Sequence, residues 1–285
     1  MSFTGTLYPI RYNARMGLRA YDVSEWGFFR FSGPDAKTFL QGLVTADVRK
    51  LSTAVMLPSC VLTPKGLMVA DCELYEETEM SVLVVTRPAA AVGLLKAFEK
   101  KVMLSKSAMR VLSGRAWLVI GDDGSRGLPW TRLQEPARLL IGADPPEEAE
   151  ILSEPEFEVL RVASGLPWFG ADMDDSTLPL EARQEAAISL EKGCYMGQET
   201  VSRIVHMGQV RKILMGLRLS EGRASVDSVV LRDGREVGKV TSSAGGLSLA
   251  MIVAADAVAG AKIEAGGLPG ELFVFSCWPK TISKA

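Results

Sequence analysis

Lys192-Gly193-Cys194-Tyr195-Met196-Gly197-Gln198-Glu199 brings an amine, a thiol, a phenol and two glycines into eight residues. Glycine reaches backbone conformations closed to other residues, so Gly193 and Gly197 predict a sharply turning loop or a close backbone approach. A thiol held in such a loop beside a cation shifts towards thiolate, the form that attacks electrophiles and ligates metals. The same residues also fit a helix-entry turn around an inert cysteine, because free cysteine is among the most buried residue types. The residues alone leave both readings open. Gln198 and Glu199 suit the cap of a helix starting at Thr200.

The rest of the chain narrows the chemistry. His206 is the single histidine, which rules out multi-histidine metal sites and leaves one imidazole for a Cys-His pair with Cys194. Closeness in sequence does not establish such a pair. Cys60, Cys72 and Cys277 lie in strand-like apolar runs and read as core. No C-x-x-C pair occurs, which argues against a zinc ribbon or a self-contained four-cysteine cluster site. The chain has 285 residues, 47% hydrophobic and 23% charged, as in an ordinary soluble protein of about two domains. A net charge of −2 gives no electrostatic case for nucleic acid as a direct partner. Met1 to Gly17 lacks the apolar core of an export signal, and no apolar run has the length of a membrane span. A soluble, cytoplasmic protein without a membrane partner or disulfide framework is expected.

The elements that must position these residues follow from periodicity. Trp26–Phe31 reads as a strand, followed by a helix start in which Ser32 caps and Pro34 occupies the first turn. Ala36, Phe39, Leu40 and Leu43 then form one apolar stripe. Strands are predicted over 55–62 and 67–75, joined by the tight turn Thr63-Pro64-Lys65-Gly66. A further strand covers 81–86, and Pro88 opens a helix with Ala91, Leu95, Phe98 and Val102 on one face. Strand segments at Val111 and 117–120 follow. The Gly-rich stretch 121–127 lacks the ending of a phosphate-binding loop and reads as a connector. An acidic helix start after 144–148 and a helix over 157–163 come next. Beyond His206, short strands at 211–219, 226–232, 236–242 and 247–254, with the Asp233-Gly234 hairpin signal, predict a small antiparallel barrel or sandwich. A last strand is expected over 273–278.

The 192–199 motif resembles the K-G-C-Y-x-G-Q-E signature of the YgfZ family, folate-binding proteins linked to iron–sulfur cluster maintenance. That family is related in fold to the T-protein (aminomethyltransferase) of the glycine cleavage system. Other blocks fall in the matching order. They are Asp22 to Gly27, Arg30 to Ala36, Phe39-Leu40-Gln41-Gly42 through Thr45-Ala46-Asp47-Val48, Thr63 to Gly66, Phe169 to Asp172, Leu178 to Ala182, and Asp233 to Ser242. The resemblance spans nearly the whole chain. It implies an α+β, three-lobed architecture around a central opening that binds tetrahydrofolate or a derivative. Residues 1–205 would form two interleaved folate-binding lobes and 206–285 the C-terminal β-barrel. It implies an accessory role towards iron–sulfur client enzymes, one of which modifies tRNA. A folate-dependent aminomethyl or one-carbon transferase and a scaffold that has lost its ligand are the alternatives.

Within that resemblance Cys194 is the first candidate for chemistry, with Lys192 favouring its thiolate and Tyr195 orienting the loop. Asp71 stands near the acidic pair of the T-protein site, although its neighbour is Ala70. Lys65 and Arg161 are candidate neighbours of the folate's glutamate tail, because a carboxylate favours cations. Arg211 and Lys212 stand where the T-protein places basic residues towards the same tail. Two positions depart from the pattern: Ala46 replaces an asparagine, and Ala163 falls where the T-protein has the glutamate that grips the pteridine amide edge.

Overall fold

The structure is a computed structural model, and it describes residues 17–121, 126–208 and 210–279. The stretch before Gly17 and positions 122–125 of the Gly-rich connector lie outside these residues. The chain forms β1 (Arg19–Asp22), β2 (Gly27–Ser32), α1 (Ala36–Gln41), β3 (Leu57–Leu62), β4 (Met68–Thr78), β5 (Ser81–Thr86) and α2 (Pro88–Val102). Next come β6 (Ala108–Leu112), β7 (Ala116–Ile120), β8 (Leu128–Trp130), β9 (Ala137–Ile141), β10 (Glu150–Ile151), α3 (Glu154–Ala163) and α4 (Gln198–Met207). The last six strands are β11 (Lys212–Leu219), β12 (Val229–Arg232), β13 (Arg235–Ala244), β14 (Leu247–Val253), β15 (Lys262–Ala265) and β16 (Leu268–Phe273).

These make the α+β, three-lobed arrangement that was expected. One five-stranded sheet has the order β10-β1-β7-β9-β8, a second has the order β3-β4-β5-β2-β6, and the last six strands close a barrel. The two sheets are interleaved in the chain: β1 starts the first sheet, all of the second follows, and β7 returns to pair with β1.

Strict alternation in the second sheet fixes which face meets what. Phe29, Phe31, Val82 and Val84 point to α1 and α2, while Phe28, Leu83 and Val85 point to the first sheet and α3. Both faces are covered, so β5 reads as a continuous apolar run. The barrel encloses its own core, including Met215, Leu217, Val230 and Ile252. Its outer wall meets α3 through Val162, Leu214, Leu249, Phe275 and Trp278.

Several local expectations hold for their stated reasons. Gly66 (φ +80°) closes the β3–β4 hairpin, and Asp233 and Gly234 (φ +53° and +75°) close β12–β13, as a mirror-image turn requires. Pro88 opens α2. Others fail. Ser32 ends β2 rather than capping α1, and Asp35 gives its side chain to the Lys106 backbone N–H instead of the helix. Leu43 lies beyond α1. The final strand sits earlier than expected, at Leu268–Phe273, where Pro269 and Gly270 masked the pattern. Cys277 follows it in a turn and is exposed, not core.

Candidate functional site

The thiol loop is held from both ends. Lys192 is buried, and its Nζ donates to the carbonyl oxygens of Gln41 (2.6 Å), Val44 (2.7 Å) and Ala46 (2.7 Å). These are carbonyls of the last turn of α1 and the segment after it, left open where the helix stops. Burial pulls the Lys192 pKa down to about 8, while three carbonyl acceptors call for the three hydrogens of the ammonium. Two residues on, Cys194 is exposed. Tyr195 is buried again, in a cluster with Cys60, Leu62, Met68 and Val201, and its ring centre lies 5.2 Å from Lys192 Nζ.

Gly197 has φ +81°, and a Cβ there would lie 2.6 Å from the Thr63 carbonyl oxygen. A Cβ on Gly66 would lie 2.7 Å from Thr200 Cβ. The Thr63–Gly66 turn and the Gly197–Thr200 segment, far apart in sequence, therefore interlock. Gly193 meets nothing within 4 Å of a built Cβ and has no positive φ, so its freedom is not what shapes the loop. The loop displays a thiol between two anchored side chains. The Lys192 ammonium is spent on backbone carbonyls, which corrects its expected role as the activator of Cys194.

A cavity of about 250 Å³ lies where the lobes meet. It is lined by Met56 and Pro58 at the start of β3, Thr131 and Arg132 after β8, and residues 164–167 after α3. Arg183, Gln184, Ala186, Ala187, Cys277, Trp278 and Pro279 complete it. The eight residues singled out from the sequence are absent from this lining, Cys194 among them.

The structure gives those residues other places. Arg161 is fully buried and spends five donors on five acceptors: both Glu158 carboxylate oxygens, the Leu166 carbonyl, Asp172 Oδ2 and Ser242 Oγ. Burial lowers its pKa, but Asp172 and Glu158 outweigh this and raise it. It pins α3 to the barrel and has no N–H left for a ligand carboxylate, which corrects its expected place beside the folate tail. Lys65 is exposed on the turn that packs against Gly197. Arg211 is exposed and Lys212 half-buried at the start of β11, beside Asp174. His206 is exposed in the last turn of α4.

Asp71 is fully buried on β4, opposite Cys60, and both its carboxylate oxygens lack a hydrogen-bond partner. Burial raises its pKa, and Arg87 opposes the rise. Glu73, on the same strand face, holds Arg87 through bonds of 2.8 and 3.0 Å, and Arg132 reaches it at 3.4 Å. The Arg87 guanidinium lies 4.2 Å from the Trp26 ring centre and 4.8 Å from that of Trp130.

Sequence reasoning missed Arg183, Arg132 and the cavity face of Cys277. The matched block Leu178–Ala182 ends one residue before Arg183, and no periodicity marks a single charged residue as inward-facing. Among the described residues, no three His, Cys, Asp or Glu side chains gather as a metal-ligand set. No helix there is long and apolar enough to cross a membrane.

Comparison with known proteins bears on this geometry. The family model of the GCVT N-terminal domain matches residues 12–120, and that of the CAF17 C-terminal β-barrel domain matches residues 211–280. An uncharacterized protein of Haemophilus influenzae is 26% identical over 240 residues, covering 78% of this chain and 82% of its own length. A Neurospora crassa protein named iron-sulfur cluster assembly factor IBA57 homolog, mitochondrial, is 28% identical over 228 residues, or 68% of this chain. The match spans about half, 52%, of that relative's length. The crystal structure of glycine cleavage system aminomethyltransferase T from Bartonella henselae superimposes with a TM-score of 0.81 at 16% identity, covering 91% of this chain and 86% of that one. At that identity the likeness is one of fold.

Proposed function

We propose, for a chain that is a YgfZ/CAF17-like protein related to the glycine cleavage T-protein, an accessory role in the maturation of iron–sulfur proteins. In this reading it works in the cytoplasm, holds tetrahydrofolate or a derivative where its lobes meet, and meets client enzymes, including a tRNA-modifying one, through the Cys194 loop. The printed name of the Neurospora relative supports the iron–sulfur part, and the T-protein fold supports the folate part.

The carrying observation is the exposed Cys194 between the buried Lys192 and Tyr195. A thiol on a fixed loop can offer one ligand or one nucleophile to a partner without first ordering the chain. Replacing Cys194 by Ser in cells that lack the wild-type protein should lower the activity of their iron–sulfur enzymes while leaving the level of folded protein unchanged. Full client activity in that strain would remove the role assigned to the loop.

The cavity suits the ligand in part. Arg132 places a cation on the lining for a glutamate carboxylate of a folate, and Trp278 offers a surface for its aromatic body. The lining carries no carboxylate for the pteridine amide edge, consistent with Ala163 in place of the T-protein's glutamate. When bound, a reduced folate supplies one-carbon or pterin redox chemistry. Quenching of tryptophan fluorescence by tetrahydrofolate tests the binding, and no quenching at millimolar ligand would leave the scaffold reading.

Asp71 favours a second reading, a one-carbon transferase, because a buried carboxyl group with two unpartnered oxygens suits proton transfer. Release of ammonia and methylenetetrahydrofolate from an aminomethyl donor is its test.

A further inference from the structure

β6 is the outer strand of the second sheet, paired with β2 from Phe28–Leu112 to Ser32–Ala108. An antiparallel strand turns only part of its N–H and C=O groups to one neighbour, so the rest of the β6 backbone points outward. Among the described residues, no backbone–backbone hydrogen bond beyond the β2 ladder involves 108–112. Ala108, Arg110 and Val111 are exposed.

The other sheet edges are guarded, as natural edge strands usually are. β10 has two residues, and β8 has three with Pro129 at its centre. β3 carries Pro58 and is capped by the Val44–Val61 bridge, and the barrel is closed. β6 has five residues, no proline and no register shift along β2. Apolar side chains surround it. Val111 is 58% exposed, and Met103 and Leu104, just before the strand, are 83% and 90% exposed. Exposed Met80 stands at the strand's entry, because its carbonyl accepts from the Gly33 N–H and a Cβ on Gly33 would collide with the Lys106 carbonyl.

The charge around this edge has one sign. Between Leu104 and Ala116 the charged residues are Lys106, Arg110 and Arg115. Arg115 holds Asp144, and Arg30 holds Glu77. Arg110 stands directly opposite Arg30, where like charges repel, and among the described residues it has no ion pair of its own.

We propose that β6 is a docking edge for an extended, acidic segment of a partner protein, which adds a strand to the second sheet and sets a carboxylate against Arg110 and an apolar side chain against Val111. Strand addition takes its affinity from the outward backbone groups and its specificity from such side-chain pairs. A second copy pairing through its own β6 would bring Arg110 against Arg110. A nucleic acid would use the cations and leave the backbone edge and the apolar side chains idle. β3, on which the thiol loop leans, is the opposite edge of the sheet, four strand spacings or roughly 19 Å away. A segment on β6 therefore leaves Cys194 open, and the site rests on neither that thiol nor a folate.

The test displays random nonapeptides to the full chain, then synthesises an enriched sequence with a fluorophore and measures its Kd by polarisation. Enriched sequences should carry Asp or Glu between β-branched or aromatic residues. Arg110→Glu should weaken binding about fivefold or more, and exchanging the peptide's acid for lysine should restore it. Arg110→Gln, which should weaken binding less, carries the test if the Glu variant does not fold. Methylating the peptide's backbone nitrogens one at a time should abolish binding at alternate positions and spare those between, as strand pairing requires. Absence of enrichment, binding untouched by a folded Arg110 variant, or methylation effects without alternation overturns the site. Displacement of the peptide by an equal concentration of single-stranded oligouridylate overturns it in favour of a general cation surface. A dimer of the free chain in sedimentation that the peptide dissociates overturns it in favour of a second copy.

Discussion

Two buried arginines differ in how fully their donors are used. Arg161, where α3 meets the barrel, has a partner for every donor. Arg183, on the cavity wall, has a nitrogen with none, and burial lowers its pKa where its neighbours raise that of Arg161. A satisfied buried charge holds structure together; an unsatisfied one leaves a desolvation cost that nothing repays. The thiol loop belongs with Arg161 in this respect, because the Lys192 ammonium is fully engaged. Asp71 belongs with Arg183.

The contrast can be broken most directly at its satisfied end. Arg161→Met leaves buried Asp172 without its cation and should cost about 3–5 kcal/mol, read as a fall in the denaturant midpoint. If Arg183→Met costs as much, the distinction between the two arginines fails. Lys192→Met leaves three carbonyls without a donor and should cost about 3 kcal/mol, whatever it does to clients. A variant of normal stability that had lost client activity would restore Lys192 to a chemical role. The two glycines of the loop sharpen the point at smaller scale. Gly197→Ala should cost roughly 2 kcal/mol from its left-handed backbone and the clash with Thr63, and Gly193→Ala should stay within about 0.5 kcal/mol.

The contrast also has a pH arm, the titration of Asp71. Its raised pKa means that the folded state holds a proton that the unfolded state releases as pH climbs above 3.8. In that window the unfolded chain binds fewer protons, so Asp71 lowers stability with rising pH. Asp71→Asn removes this slope. Unfolding measured from pH 4 upward should show wild type losing ground to the variant, and parallel curves would mean that the carboxyl group has a partner after all.

The hairpins, α2 and most barrel strands were legible because turn residues and alternation act locally. Thr63–Gly66 and Asp233-Gly234 need left-handed backbone, and glycine announces it. β1, β8, β9, β10 and β15 were missed: four of them have four residues or fewer, and β9 lies among polar residues. In the site, the exposure of Cys194 agreed with one of its two readings. The destinations of Lys192, Arg161 and Arg183 were illegible, because each is set by carbonyls or carboxylates distant in sequence or by a cavity that exists only after the lobes meet. Charge type announces that a partner is needed, not which one.

The interleaved sheets carry a consequence for synthesis. Ala20 pairs with Val119, and between them the chain builds another complete sheet. A ribosome adding about 5–20 residues per second leaves β1 without its neighbour for several seconds at least. During that interval the second lobe can close on α1 and α2, while the first lobe waits as an open edge. Nascent chains of this protein are therefore exposed to strand capture at β1 until β7 emerges, whereas the six barrel strands emerge in succession and pair with one another.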